Sequence, residues 1–354
     1  MAQTLATPGV YIEEKNAFPN SIVGIPTAIP AFIGYTDKSA YNGQSLLFKA
    51  KRISSLSEYH NFFGKGFRSN YQIEKVEDLK SEYDFKIDGI GYAVIPSTFP
   101  RFLFYDAVRL FFANGGGTCY VTTVGNYYTT TSEIDSQKIP NTISKRDFEN
   151  AISGLVSEEE PTMLIIPEAI LLEESDCYAL QQVMLQHCGA KMKNRFTILD
   201  VYNGNASRSY DKQDIITRFR AGVGSNNLAY GAAYYPYLNA SIVQNEEIDF
   251  RNISNIDELE RFLLIEADGV VDKKKSEDIK TEVRKLSQPT IDVESLTQTL
   301  RVISPAFKNI LAKIKMLMNV LPSSAAMAGI YSTTDASRGV WKSPANISIA
   351  SVIG

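Results

Sequence analysis

Between residues 100 and 235 the hydrophobic period of the sequence switches repeatedly between 3.6 and 2, and few architectures accommodate that. Residues 101–113 place Phe104, Val108, Phe111 and Phe112 near one stripe, which predicts an amphipathic helix stopped at Asn114-Gly115. Strand patterns at 118–124, 163–166, 196–201 and 228–235 then alternate with helix patterns at 148–155, 174–188 and 215–221. Parallel strands need a crossover between them, so this alternation predicts an α/β layer with a largely parallel sheet.

The flanking segments read differently. Gly9-Val10-Tyr11-Ile12-Glu13-Glu14 alternates like a strand, with Val10 and Ile12 on one face, and residues 16–26 hold two prolines and a glycine. Residues 1–25 are therefore expected to form an extended N-terminal arm and linker. Ala28-Ile29-Pro30-Ala31-Phe32-Ile33-Gly34 suits a buried strand whose Pro30 pushes its start towards an edge. Ser55-Leu56-Ser57-Glu58 has capping-box spacing and opens a short helix ending at Phe63-Gly64. Residues 250–320 hold three helix patterns, one of them the charged stretch 273–285 that reads as a solvated face. The expected class is α/β, α+β overall, and roughly two to three domains suit 354 residues. The divisions are arm and linker 1–25, first part of the core 26–125, α/β domain 126–245, helical insertion 246–320 on the outer surface, and a return to the core at 321–354.

Chemistry is sparse. A net charge of -4 creates no general field for nucleic acid or an anionic membrane. No apolar run has the length of a membrane span, residues 1–8 lack the pattern of a signal peptide, and three cysteines fit a reducing compartment, so synthesis in the cytoplasm is expected. His60 and His187 fall on helix patterns without a motif, His187 in a last turn where a cation suits the dipole. Cys177 and Cys188 share one helix about 16 Å apart, too far for a disulfide or a shared metal, and Cys119 reads as a small buried hydrophobe. Asn114-Gly115-Gly116-Gly117 follows a helix and precedes a strand, the reverse of a phosphate loop, and lacks the Gly-Lys-Ser/Thr ending. The acidic pairs Glu13-Glu14 and Glu173-Glu174 point to opposite faces on a strand, and 158–160 reads as a solvated loop. Tyr127-Tyr128 and the tyrosines at 230, 234, 235 and 237 lack interleaved basic residues, which favours packing or a protein interface over base stacking. The expectation is no catalytic residue, no metal, no cofactor, no nucleic acid and no direct membrane binding. The lone tryptophan, Trp341, near the end of a helix opening at Ser323-Ser324, is expected to pack at a domain junction.

Five blocks, in order, resemble the contractile tail sheath family of phages and phage-like injection systems. They are Thr7-Pro8-Gly9-Val10-Tyr11-Ile12-Glu13-Glu14; Ile25-Pro26-Thr27-Ala28-Ile29-Pro30-Ala31-Phe32-Ile33-Gly34-Tyr35-Thr36; Phe111-Phe112-Ala113-Asn114-Gly115-Gly116-Gly117 with Cys119-Tyr120-Val121; Ala232-Ala233-Tyr234-Tyr235-Pro236; and Leu321-Pro322-Ser323-Ser324-Ala325-Ala326-Met327-Ala328-Gly329-Ile330-Tyr331 followed by Thr334-Asp335 and Arg338-Gly339-Val340-Trp341-Lys342-Ser343-Pro344-Ala345-Asn346. The resemblance implies a structural subunit that stacks as hexameric rings around an inner tube and contracts to drive the tube through a target envelope. It implies as partners further copies of the chain, the inner tube protein, and baseplate and terminator or cap proteins. It implies subunit-to-subunit strand exchange through Gly9, Val10, Tyr11, Ile12, Glu13 and Glu14, and a family core block of Asp335, Arg338, Gly339, Val340, Trp341, Lys342, Pro344 and Asn346. Such proteins usually continue past the Trp-Lys-x-Pro-Ala-Asn block into a C-terminal domain, which this sequence does not contain. Both outer blocks lie on one chain, unlike the two-protein sheath of type VI secretion. An extracellular injection particle is the expected setting, with the tail of a true phage virion as the alternative. An α/β nucleotide-binding enzyme and a soluble adhesin or receptor-binding tip protein remain as rivals of other classes.

Overall fold

The computed structural model describes residues 27–76, 83–87, 89–97, 101–130, 138–288 and 292–353. Residues 9–14 lie outside them. Along the chain, β1 (Pro30–Thr36) leads to a hairpin of β2 (Ala40–Tyr41) and β3 (Gln44–Ser45), then β4 (Ala50–Ile53) and helix α1 (Leu56–Phe63). Next come β5 (Tyr71–Lys75), β6 (Phe85–Ile87), β7 (Ile90–Pro96), α2 (Phe104–Ala113), β8 (Cys119–Asn126), β9 (Tyr128–Thr130) and β10 (Lys138–Pro140). The alternation then runs through α3 (Lys145–Gly154), β11 (Met163–Ile165), α4 (Glu174–Gln186), β12 (Phe196–Asp200), α5 (Ile215–Val223) and β13 (Gly231–Tyr234). β14 (Leu238–Asn239) precedes α6 (Ile256–Asp268), α7 (Lys273–Val283), α8 (Val293–Ile303) and α9 (Pro305–Met318), and β15 (Val320–Leu321) precedes α10 (Ser324–Arg338).

Among the described residues the main sheet runs β13-β12-β11-β1-β8-β4. Every neighbouring pair is parallel except β4 with β8. The sheet is covered on both faces, so β1 is buried at all seven positions. Ala31, Ile33 and Tyr35 face a core shared with Phe148, Leu180 and Phe219 of α3, α4 and α5. Phe32 faces the other way, towards Tyr59 of α1, Phe104, Val108 and Phe111 of α2, and Ala325 and Ala328 of α10. Pro30 does not mark a sheet edge. It is the first residue of the central strand, a position where a missing N–H removes little from the ladder. Ser55 caps α1 through the Glu58 N–H at 3.3 Å, while the Glu58 carboxylate reaches back to the Ser54 N–H at 2.7 Å.

The helical segment does not form a core of its own. Tyr71, Ile73, Phe85, Tyr92 and Val94, from the antiparallel sheet β5-β7-β6, share one core with Leu259, Phe262, Leu300, Phe307 and Ile314. Residues 71–96 had been expected to belong with the first part of the main core. They pair instead, across some 180 residues of sequence, with α6–α9. The stems of this second unit are closed by hydrogen bonds. Ser97 N–H donates to the Asn70 carbonyl at 2.9 Å, and Val243 N–H donates to the Asn319 side chain at 2.9 Å. Arg101 ties the units by donating to the carbonyls of Leu317 and Met318 at the end of α9, each at 3.1 Å.

Candidate functional site

The C-terminal ends of the parallel strands are where folds of this type bind ligands, in the crevice where strand order reverses. Here the reversal lies between β1 and β11. Glu168, wholly buried, fills that place. Its carboxylate accepts the Tyr35 N–H at 2.9 Å, the Leu103 N–H at 3.0 Å and the Phe104 N–H at 3.2 Å. The last two open α2, the helix N-terminus that would otherwise attract a phosphate. Burial pushes the carboxyl up to about 7, against the pull of its three N–H donors. Asp200, at the end of β12, serves α10 in the same way. It accepts the Ser324 N–H at 2.9 Å and the Ser324 hydroxyl, and burial pushes it up to about 7. Two helices on one face of the sheet are therefore capped by carboxylates, Asp200 at the end of β12 and Glu168 in the turn after β11. Sequence reading passed over both acids because neither stands in a spaced motif. The available signal was an acid directly following an apolar strand run.

The remaining chemistry-bearing side chains are engaged in packing. His60 Nε2 lies 2.9 Å from the Tyr105 hydroxyl, and burial lowers its pKa. His187 does not sit in a solvated last turn. The helix continues through a π turn at His187–Met192, so the ring is buried, and burial with Arg195 and Lys191 nearby lowers its pKa to about 4. It is neutral and makes no dipole contact as a cation. All three cysteines are free and buried, and burial pushes the thiols of Cys177 and Cys188 up to about 12. Tyr127 packs against Phe67 and Phe102, while the Tyr235 and Tyr237 hydroxyls donate to the carbonyls of Ala206 and Val201. Among the described residues no group of three or more His, Cys, Asp or Glu could hold a metal, and no helix is long and apolar enough to cross a membrane.

Towards the opposite ends of the strands, segments distant in sequence converge. The chain enters at Thr27, whose hydroxyl donates to Asp335 Oδ2 of α10 at 2.7 Å. The Ser332 hydroxyl donates to the Ala28 carbonyl at 2.7 Å. Ile29 N–H donates to the Thr162 hydroxyl oxygen at 2.9 Å, and the Ile29 carbonyl accepts the Thr162 N–H at 2.8 Å. The turn after α2 joins the same corner. Gly115 has φ +79, and the Thr333 hydroxyl donates to its carbonyl at 2.9 Å. Asn114 holds the returning tail through the Ala350 N–H at 2.8 Å and the Ala350 carbonyl at 3.2 Å. Tyr234 of β13 meets Tyr331 hydroxyl to hydroxyl at 3.0 Å. α10 lies so close to α2 that a Cβ on Gly329 would stand 2.6 Å from the Phe111 carbonyl oxygen. The second to fifth sequence blocks thus meet along α10, and the first, residues 7–14, lies outside the described residues.

The fifth block divides at the helix end. Asp335 is half-buried in the corner, Arg338 is exposed at the last turn, and Gly339, with φ +86, turns the chain out. Lys342 N–H closes on the Gly339 carbonyl at 3.1 Å, so Val340 and Trp341 stand at a turn tip. Trp341 is 82% exposed and Val340 66%. The expected packing of Trp341 at a domain junction is not found, because α10 stops three residues short of it. Lys342 and Pro344 are half-buried, and Asn346 is exposed with φ +56.

No family model and no curated protein matches the chain. Solved structures do. The contracted helical sheath of the anti-feeding prophage aligns over 99% of this chain and 58% of its own, at 19% identity and TM-score 0.43. A chain of the contracted baseplate of the same particle aligns over 99% and 60%, at 16% and 0.47. The contracted sheath complex of PVC, an extracellular contractile injection system, aligns over 99% and 57%, at 18% and 0.41. The chain therefore spans under two thirds of each of these three chains.

Proposed function

We propose that this chain is a structural subunit of a contractile sheath, in a phage-like extracellular injection particle. The observation that carries the reading is the convergence of the sequence blocks along α10. Residues between 27 and 335 from the blocks that resemble sheath proteins meet in one corner of the body, where the described chain begins. The filled crevice at the strand ends supports the same reading over a nucleotide-binding enzyme, because Glu168 takes the position and the N–H donors that a phosphate would need. Copies of the chain, the inner tube protein, and baseplate and cap proteins are its proposed partners. The second unit, β5–β7 with α6–α9, is proposed to face outwards from the tube.

In this mechanism residues 9–14 add a strand to a neighbouring subunit. Each backbone hydrogen bond contributes a net ~0.5–1.5 kcal/mol. Full burial of Val10 and Ile12 adds roughly 1.5–3 kcal/mol each. Ordering the arm costs about 1–2 kcal/mol per residue, so each junction gains little and the lattice gains by repetition. Deleting residues 1–14, or replacing Ile12 by proline, is expected to leave the melting temperature of the isolated subunit unchanged and to abolish tubular assembly in electron micrographs. Normal tubes from both variants would reject strand exchange. A nucleotide that raises the melting temperature at millimolar concentration would favour the enzyme instead.

A further inference from the structure

We propose that Tyr210 is a knob by which one copy of the chain grips a second, its ring seated in the groove between α7 and the end of α8 of that copy. The inference names one contact, and it rests on the premise of the sheath reading that copies of the chain associate. Tyr210 lies in the loop after β12, has φ +59 and is 80% exposed. A bulky side chain rarely takes that backbone conformation, which persists only where the surroundings over-determine it. Here they do. Asp214, 1% exposed, caps α5 through the Ile216 and Thr217 N–H groups at 3.0 and 3.3 Å. The same carboxylate accepts the Ser209 and Tyr210 N–H groups, each at 3.0 Å, and the Arg208 Nε–H at 2.8 Å. The Arg208 guanidinium in turn lies 4.5 Å from the centre of the Tyr210 ring. The loop thus fixes an exposed aromatic ring before any partner arrives, which lowers the entropy cost of binding. Tyrosine and arginine are also residue types that anchor protein interfaces.

The groove is complementary in shape and charge. Ile279 of α7 and Ile303 at the end of α8 line a hollow of about 310 Å³, and Val302 beside it is 84% exposed. Asp278 and Glu282 rim the hollow together with Lys275, and Glu282 also meets Lys285 at 2.5 Å. Lys212, two residues beyond the knob, is exposed, and among the described residues neither it nor Asp278 has an ion-pair partner. That match of charges points to a second copy as the occupant. Tyr202 and Ile215, on either side of the loop, pack on the α/β core, whereas Ile279 and Ile303 pack on the second core. Knob and groove are therefore different surfaces, and the contact is head-to-tail. A copy that gives its knob still offers its own groove to the next, so the contact propagates.

The three native cysteines are buried, so a new surface cysteine reacts alone. One population of the full chain carries Gln213→Cys beside the knob, a second carries Lys275→Cys beside the groove, and the two are mixed with a short bismaleimide. Mixed cross-links should form well above the like-with-like products of either population alone. Tyr210→Ala in the first population, or Asp278→Lys with Glu282→Lys in the second, should each slow the mixed cross-link roughly tenfold or more. Lys212→Glu in the first population should restore it against the reversed groove. Mixed cross-links no more frequent than like-with-like ones, or unaffected by Tyr210→Ala, would overturn the proposal. Unchanged far-ultraviolet circular dichroism in the variants excludes unfolding as the cause of a loss. Tubes from the unmodified chain without specific mixed cross-links would remove this contact and leave the sheath standing, and specific cross-links without tubes would do the reverse.

Discussion

At the scale of single residues, the two strand-end carboxylates govern how stability responds to acid. Glu168 has a pKa of about 7 in the folded chain against an ordinary 4.5, and Asp200 about 7 against 3.8. Between the two values the folded state holds a proton that the unfolded state has released. Their contribution to stability is therefore greatest at the acid end and is lost as pH rises towards 7. Asp214 works in the opposite sense, since the Arg208 guanidinium holds its carboxyl well below the usual range, and its contribution is lost only in stronger acid. The melting temperature should thus fall between pH 5 and pH 8, and Glu168→Gln should make that decline shallower. Glu168→Ala strands three buried N–H groups at about 1–3 kcal/mol each, so it should cost at least about 3 kcal/mol in chemical denaturation. The partners of Glu168 were not legible in the sequence, although its place after an apolar strand run was. A solitary acid carries no spacing, and only the fold brings Tyr35, Leu103 and Phe104 to it. Trp341 shows the converse error: its size suggested burial, but burial depends on where α10 ends.

At the scale of elements, the α/β alternation was readable because each helix and strand there is amphipathic or apolar over its own length. β8, β11, β12 and β13 fall within a few residues of the predicted strands, and α2 to α5 within a few residues of the predicted helices. What failed was non-local. Tyr71-Gln72-Ile73-Glu74-Lys75 alternates as a half-buried strand should, yet nothing in it signals that its apolar face packs on helices beginning near residue 256. The contact of α2 with α10 is also a property of the pair. Gly329 permits it, and Gly329→Ala would push a methyl group onto the Phe111 carbonyl. That overpacking should cost about 1–3 kcal/mol in thermal or denaturant unfolding. The reverse outcome, a variant as stable as the parent, would mean that the two helices separate at little cost.

At the scale of the whole molecule, the second unit is a double insertion with closed stems. Joining residue 70 to residue 97 and residue 243 to residue 319 through short glycine linkers should leave a soluble, cooperatively melting α/β body, since the stem residues are already hydrogen-bonded neighbours. Removing residues 250–310 alone should instead expose the apolar face of β5–β7 and drive aggregation, measurable by light scattering. A soluble product from the single excision, or an unfolded one from the double, would show that the two cores are not separable along this line.

The filled crevice at the strand ends has a mechanical consequence. A cleft kept open for a ligand is a compliant element, because its walls can close and closing absorbs work. Here the same space holds a buried side chain bonded at once to the central strand and to the first turn of α2. A load applied where the chain enters, at Thr27, passes into β1, whose far end at Tyr35 is bonded to that side chain. Under such a load β1 and α2 should therefore move together.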